Sequence, residues 1–160
     1  ERLERKLQET HHLDRIRSRP QDYDPDTRDR FIAGATIPAQ WVLKAQKFRR
    51  WFREAAGQVF RDTNILIAPA TPCFAPRQDQ KTLVIDGTEV LLRPNMGIFT
   101  QPISFIGLPV ATVPVWLDGA ALPIGVQIIA APWREDLVLR VSAALEAMGA
   151  TKSIVAEVAA

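Results

Sequence analysis

Cysteine is almost missing from these 160 residues: Cys73 stands alone, so no internal disulfide can form and packing must hold the fold. That usage fits a reducing compartment. No uninterrupted apolar run approaches a bilayer span, and no charged, apolar, small-residue leader opens the chain, so the sequence reads as soluble and cytoplasmic, with no membrane partner. Serine is also scarce. Ser18, Ser104, Ser142 and Ser153 are far apart, and there is no Gly-Gly or Gly-Ser pair, so no ready set of backbone donors for an oxyanion is present. The two histidines, His11 and His12, are adjacent and point in different directions on any regular element. No Cys, Asp or Glu arrangement with metal spacing accompanies them, so neither a metal nor a cofactor is expected. Repeats and low-complexity blocks are missing too, and the first residue is Glu1 rather than Met, which reads as a truncated or processed chain.

What is present is a globular composition. Hydrophobic residues make up 47% and charged residues 24%, enough for one domain with a core. The net charge of +2 draws on the stretch KAQKFRRWFR from Lys44 to Arg53. Cations interleaved with aromatics can track phosphates and stack bases. Here the aromatics fall at core spacing and acids are common from Glu1 to Glu54, so an amphipathic helix is the better reading and no nucleic-acid partner is expected.

The stretch from Thr100 to Asp136 organises the chain. Two β-branched runs, Val110 to Val115 and Ile124 to Ala131, flank an Asp118-Gly119 turn and are bracketed by Gly and Pro. Val and Ile occupy both alternating sets of positions, which predicts strands covered on both faces, as in a layered α/β sheet. Ile65 to Ala68 predicts a third short strand running into a Pro-interrupted loop, where α/β sheets usually bind ligands. TLVIDGTEVLL, with Asp86-Gly87 between alternating runs, predicts a hairpin arm.

Helices frame these strands. In DYDPDTRDRFIAG, Asp24 is placed to cap, Pro25 suits the first helical position, Asp26 favours the dipole, and Gly34 is expected to close the helix in a left-handed conformation. From Pro38 a second helix repeats Trp41, Ala45, Phe48, Phe52, Ala55 and Val59 at steps of four and three, predicting one face buried against the sheet. Trp133 to Met148 predicts a closing helix with Glu135 and Asp136 in its first turn and Gly149 at its end. Residues 1–19 read as a charged tail or frayed helix and 151–160 as a second tail.

Individual candidates are weaker. Cys73 would need a neighbouring base to act as a nucleophile, and none is local. Gln127, on a buried strand, reads as a hydrogen-bonded core amide rather than a ligand contact.

NILIAPATPCFAP, TQPISFIGLPVATVPVW and LPIGVQIIAAPWRED, in that order and followed by a helix, resemble the C-terminal part of the amidase signature family. PQDYDPDTRDRFIAG, AQWVLKAQKFRRWF and IIAAPWREDLVLRV are most similar to its 1-carboxybiuret hydrolase branch. The resemblance runs from about His12 to Gly149 and makes residues 20–150 the C-terminal part of an amidase domain. It implies an α/β fold with a mixed β-sheet flanked by helices. It also implies hydrolysis of a small, carboxybiuret-like amide through an acyl-enzyme, using two serines and a lysine with a Gly/Ser-rich oxyanion loop. Those groups belong to the family's N-terminal part and none can be placed here, so no catalytic residue is assigned and the chain alone is expected to be inactive. The implied partners are that N-terminal part, the small amide substrate, and a small accessory subunit or a second copy of the chain.

By position, Arg30 matches an arginine near the substrate carboxylate in amidotransferase A subunits, a role that suits a bidentate guanidinium. The alternative is a solvated helix residue beside Asp29. Thr100 and Gln101 match the family's pocket-edge loop, and Gly97 stands where some relatives carry an acid just before it. A second function remains open from the residues: a non-catalytic interaction module that keeps part of the amidase fold.

Overall fold

The structure, a computed structural model, describes residues 12 and 14–152. The expectations for ERLERKLQET, for His11 and for residues 153–160 therefore lie outside the described residues. The chain divides into two compact units, Glu1–Phe48 and Arg49–Ala160.

In the first unit, residues 14–18 are helical with Ile16 buried, and a single 3-10 turn spans Pro20–Asp22. Helix α1, Pro25–Ala35, starts as its sequence dictates: the Asp24 carboxylate accepts from the Thr27 backbone N–H at 3.2 Å, and Pro25 occupies a position that needs no N–H. Its end differs from expectation. Gly34 stays inside the helix, and Thr36 caps it in right-handed geometry, its hydroxyl donating to the Ala33 carbonyl at 2.8 Å. A side chain able to satisfy a terminal carbonyl removes the need for a left-handed glycine. His12 stacks on Phe31 at 4.7 Å between ring centroids, and its Nδ1 lies 3.1 Å from the Tyr23 hydroxyl, so this imidazole is engaged in packing.

Helix α2, Ala39–Val59, carries the unit boundary within it. Its length matches the apolar repeat, but the predicted burial does not hold. None of its residues is buried among the described residues, and Trp41 is 65% exposed. Periodicity specifies which residues share a face, not what covers that face. On the polar side Arg50 donates to Glu54 at 2.9 Å, and that hydrogen bond together with the carboxylate charge raises the guanidinium pKa further above its usual value.

The second unit holds the sheet. Strands β1 (Ile65–Pro69), β4 (Val110–Val115) and β5 (Ile124–Ala130) pair in the order β1-β5-β4, antiparallel throughout. Strands β2 (Thr82–Ile85) and β3 (Thr88–Leu91) form the expected hairpin, with Asp86 at φ 48° and Gly87 at φ 71°. Both angles are what a two-residue turn of this hand requires. Two short helices absent from the sequence reading follow, α3 (Leu92–Asn95) and α4 (Gln101–Ile106). Helix α5, Glu135–Ala147, packs Val138 on Val113, Ile128 and Ala130, with Ile65, Ala111, Val126, Leu137, Val141 and Leu145 around them.

Coverage of the strands is uneven. From Gln127 to Ala130 every residue of β5 is buried, as its two-faced apolar run predicts, whereas Val110 and Thr112 of β4 are exposed. On β4, an edge strand, Val110 and Thr112 have cross-strand neighbours on β5 alone, Ile129 and Gln127.

Candidate functional site

The site is built where β1 ends. Gly125 lets the strands close there: a Cβ on it would lie 3.0 Å from Ala70 Cβ and 3.1 Å from Thr112 Cγ2, and its carbonyl accepts the Ala70 N–H at 2.8 Å. Beyond Ala70 the chain breaks from the ladder into the Pro-interrupted loop. The Thr71 hydroxyl donates to the Cys73 carbonyl at 2.9 Å, and the Cys73 thiol donates to Met96 Sδ at 3.8 Å. Cys73 thus has a soft thioether beside it rather than a base.

Met96 begins the turn that carries two of the expected site residues. Residues 96–100 turn tightly, with Thr100 and Gln101 backbone N–H groups both directed at the Gly97 carbonyl, at 3.1 and 2.8 Å. The Thr100 hydroxyl donates to the same carbonyl at 3.3 Å, and Thr100 is the N-cap of α4 without a side-chain cap bond of its own. The Gln101 side chain is exposed. Pro102 follows in the first helical turn, where its missing N–H costs nothing.

Gln127 is the residue whose reach the sequence did not disclose. It is a buried, hydrogen-bonded amide, as read, but its Nε2 bridges two segments, donating to Pro69 O at 2.7 Å and Phe99 O at 3.2 Å. The strand end and the turn are therefore pinned to one carboxamide. A glutamine inside an otherwise aliphatic run, IGVQIIA, was the available signal.

Arg30 lies in the other compact unit, on the exposed side of α1, and makes no ion pair with any described residue; its neighbour Asp29 is engaged by Arg28 at 3.2 Å instead. The structure thus brings Thr100 and Gln101 together with Gly97 and Gln127, while Arg30 stands on a separate element. No cluster of three or more metal-capable side chains occurs among the described residues. The arrangement offers hydrogen-bond donors and acceptors for orienting a polar group, and no nucleophile paired with a base.

Comparison with known proteins fits this geometry. The Amidase family model matches residues 8–139. The 1-carboxybiuret hydrolase subunit AtzE of Pseudomonas sp. (strain ADP) is 49% identical over 139 residues, covering 86% of this chain and 30% of that protein. A fatty acid amide hydrolase of Medicago truncatula is 33% identical over 121 residues, covering 76% of this chain and 20% of its own length. A solved structure, described as an inhibitor-bound vestigial protein complex that reveals the evolutionary origins of an s-triazine catabolic enzyme, superposes with a TM-score of 0.84 at 47% identity. It covers 89% of this chain and 32% of that one. The chain thus spans between a fifth and a third of these relatives. Shared sequence and shared α/β architecture over the same stretch lead to one conclusion: the chain belongs to the amidase family.

Proposed function

We propose that these residues form the C-terminal wall of the substrate pocket in an amide-hydrolysing enzyme, acting on a small carboxybiuret-like amide. The supporting observation is the 49% identity to a 1-carboxybiuret hydrolase subunit across most of the chain. In this reading the attacking serine, its serine and lysine partners and the oxyanion donors lie in the N-terminal part of the amidase domain. That part also covers apolar surface left open here, Trp41 and Ile67 among it. Thr100 and Gln101 edge the pocket, and Arg30 supplies a guanidinium fork for the substrate carboxylate. The partner implied by the complex of the structural relative is a small accessory subunit, and the working compartment is the cytoplasm.

The test is kinetic. The isolated 160-residue chain should hydrolyse nothing, while the complete amidase polypeptide that includes it should turn over carboxylated ureas. Arg30→Ala should raise KM for a carboxylated amide by about 10- to 100-fold, the worth of a charge-assisted hydrogen bond, and leave an uncharged amide nearly unaffected. No loss on either substrate would return Arg30 to the solvated helix surface, and equal loss on both would deny it a role in recognising the carboxylate. A complete polypeptide without amidase activity would favour the non-catalytic module.

A further inference from the structure

The turn from Met96 to Gln101 is pinned on one side and leaves a recess on the other. On one side Gln127, only 1% exposed, uses both protons of one uncharged nitrogen on main-chain carbonyls of different segments, Pro69 and Phe99. On the other, the Gln101 side chain folds back over Gly97. A Cβ at position 97 would fall 2.9 Å from Gln101 Nε2, 3.1 Å from its Cγ and 3.2 Å from its Cδ, inside or at the limit of what real contacts tolerate. Gly97 is not among the residues with positive φ, so its role is to leave space rather than to adopt a left-handed backbone. Any larger residue must push the Gln101 carboxamide away. That carboxamide makes no hydrogen bond with a described residue, which leaves its donors and acceptor for a ligand.

We propose that Gln127 is a positioning residue for this turn and that Gly97 leaves the space the Gln101 side chain occupies, so that the three together set the preference for a small polar amide. The inference rests on the reading of Thr100 and Gln101 as the pocket edge. Gln127 and Gly97 touch no substrate and act through the pose of Gln101. A one-residue change of volume at Gly97 then matters as much as removal of the Gln101 amide.

The experiment is a set of double-mutant cycles in the complete amidase polypeptide, with biuret and acetamide as paired probes. Gln101→Ala and Gly97→Ala should each raise KM for biuret by about three- to tenfold, the worth of one neutral hydrogen bond, and erode the preference over acetamide. In the Gln101→Ala background, Gly97→Ala should have no further effect, because the atoms it displaces are gone. Gln127→Met should shift the same preference in the wild-type background and not in Gln101→Ala. If that buried variant does not fold, the Gly97 cycle decides alone. Additive effects of Gly97→Ala and Gln101→Ala, or a Gln127→Met that scales turnover of both amides equally, would overturn the inference while leaving the pocket-edge reading intact. A Gln101→Ala without effect on either KM would instead remove the pocket-edge reading itself.

Discussion

Trp116 donates its indole N–H to the carbonyl of Lys152 across 2.8 Å, joining the residue just past β4 to the chain beyond α5. Thr151 beside it is buried. The contact fastens the closing helix at its far end, where the main chain would otherwise be free to peel from the sheet. Trp116→Phe keeps the ring and removes the donor, so it should cost about 1 kcal/mol. The shift in denaturation midpoint of the 160-residue chain checks this.

Ile67 and Ile128 are register partners on neighbouring strands with opposite fates: Ile128 is 0% exposed under α5, Ile67 62% exposed on edge strand β1. Ile128→Ala should therefore cost about 2–5 kcal/mol through lost burial and a cavity. Ile67→Ala should stay within about 0.5 kcal/mol in the isolated chain. Equal costs would show that the edge is covered in solution.

Glycines separate by conformation. Gly87 sits at φ 71° in the β2–β3 turn, where Ala is strained, so Gly87→Ala should destabilise by about 1 kcal/mol. Gly34 lies inside α1, with nothing within 4 Å of a Cβ placed on it. Gly34→Ala should stabilise by about 0.5–1 kcal/mol, visible as a raised melting temperature.

That contrast marks how far the sequence could be read. Asp86-Gly87 announced its hairpin because a two-residue turn of that hand needs positive φ at both positions, whereas in the longer connection between β4 and β5 Gly119 alone takes it. The cap at Asp24 and the strands rich in Val and Ile were equally local signals. Gly34 misled because the same residue serves helix interiors and helix ends, and the choice fell to Thr36, two positions on. The stripe from Trp41 to Val59 gave a helix but not its cover, which is a property of other surfaces. Helices α3 and α4, four and six residues long, are too short to show a period. In the site, Thr100 and Gln101 came from family likeness rather than spacing. The Gln127 bridge to Phe99 spans 28 residues, and no local pattern encodes such a contact.

Electrostatics gives a prediction with a sign. Arg134 faces Asp136 with two parallel hydrogen bonds, Nε to Oδ1 at 2.9 Å and Nη2 to Oδ2 at 3.1 Å, at the start of α5. The hydrogen bond from Arg134 holds the Asp136 carboxyl below its ordinary value of 3.8. A depressed carboxyl pKa means that the unfolded chain binds the proton first as pH falls. The pair's stabilisation is thus complete above about pH 4 and fades as acid carries the folded chain through the lowered pKa. Asp136→Asn should lower the melting temperature slightly at neutral pH, and the gap should close below the ordinary carboxylate range. Both groups are open to solvent, so added salt should narrow the gap as well.

Strand β1 ends the three-stranded order with its outer hydrogen-bonding edge unpaired among the described residues, and it presents Ile67 there. An exposed edge with a β-branched side chain is a template for another strand. For the isolated chain in solution the partner at hand for that edge is another copy. Light scattering on the isolated chain should therefore show mass rising with concentration. Ile67→Lys, which puts a charge at a largely exposed position of this strand beside Ile128, should suppress that rise and leave the far-ultraviolet circular dichroism unchanged. If association persists undiminished in Ile67→Lys, the contact runs through another apolar surface, with Trp41, Phe48 and Trp51 of α2 the next to substitute.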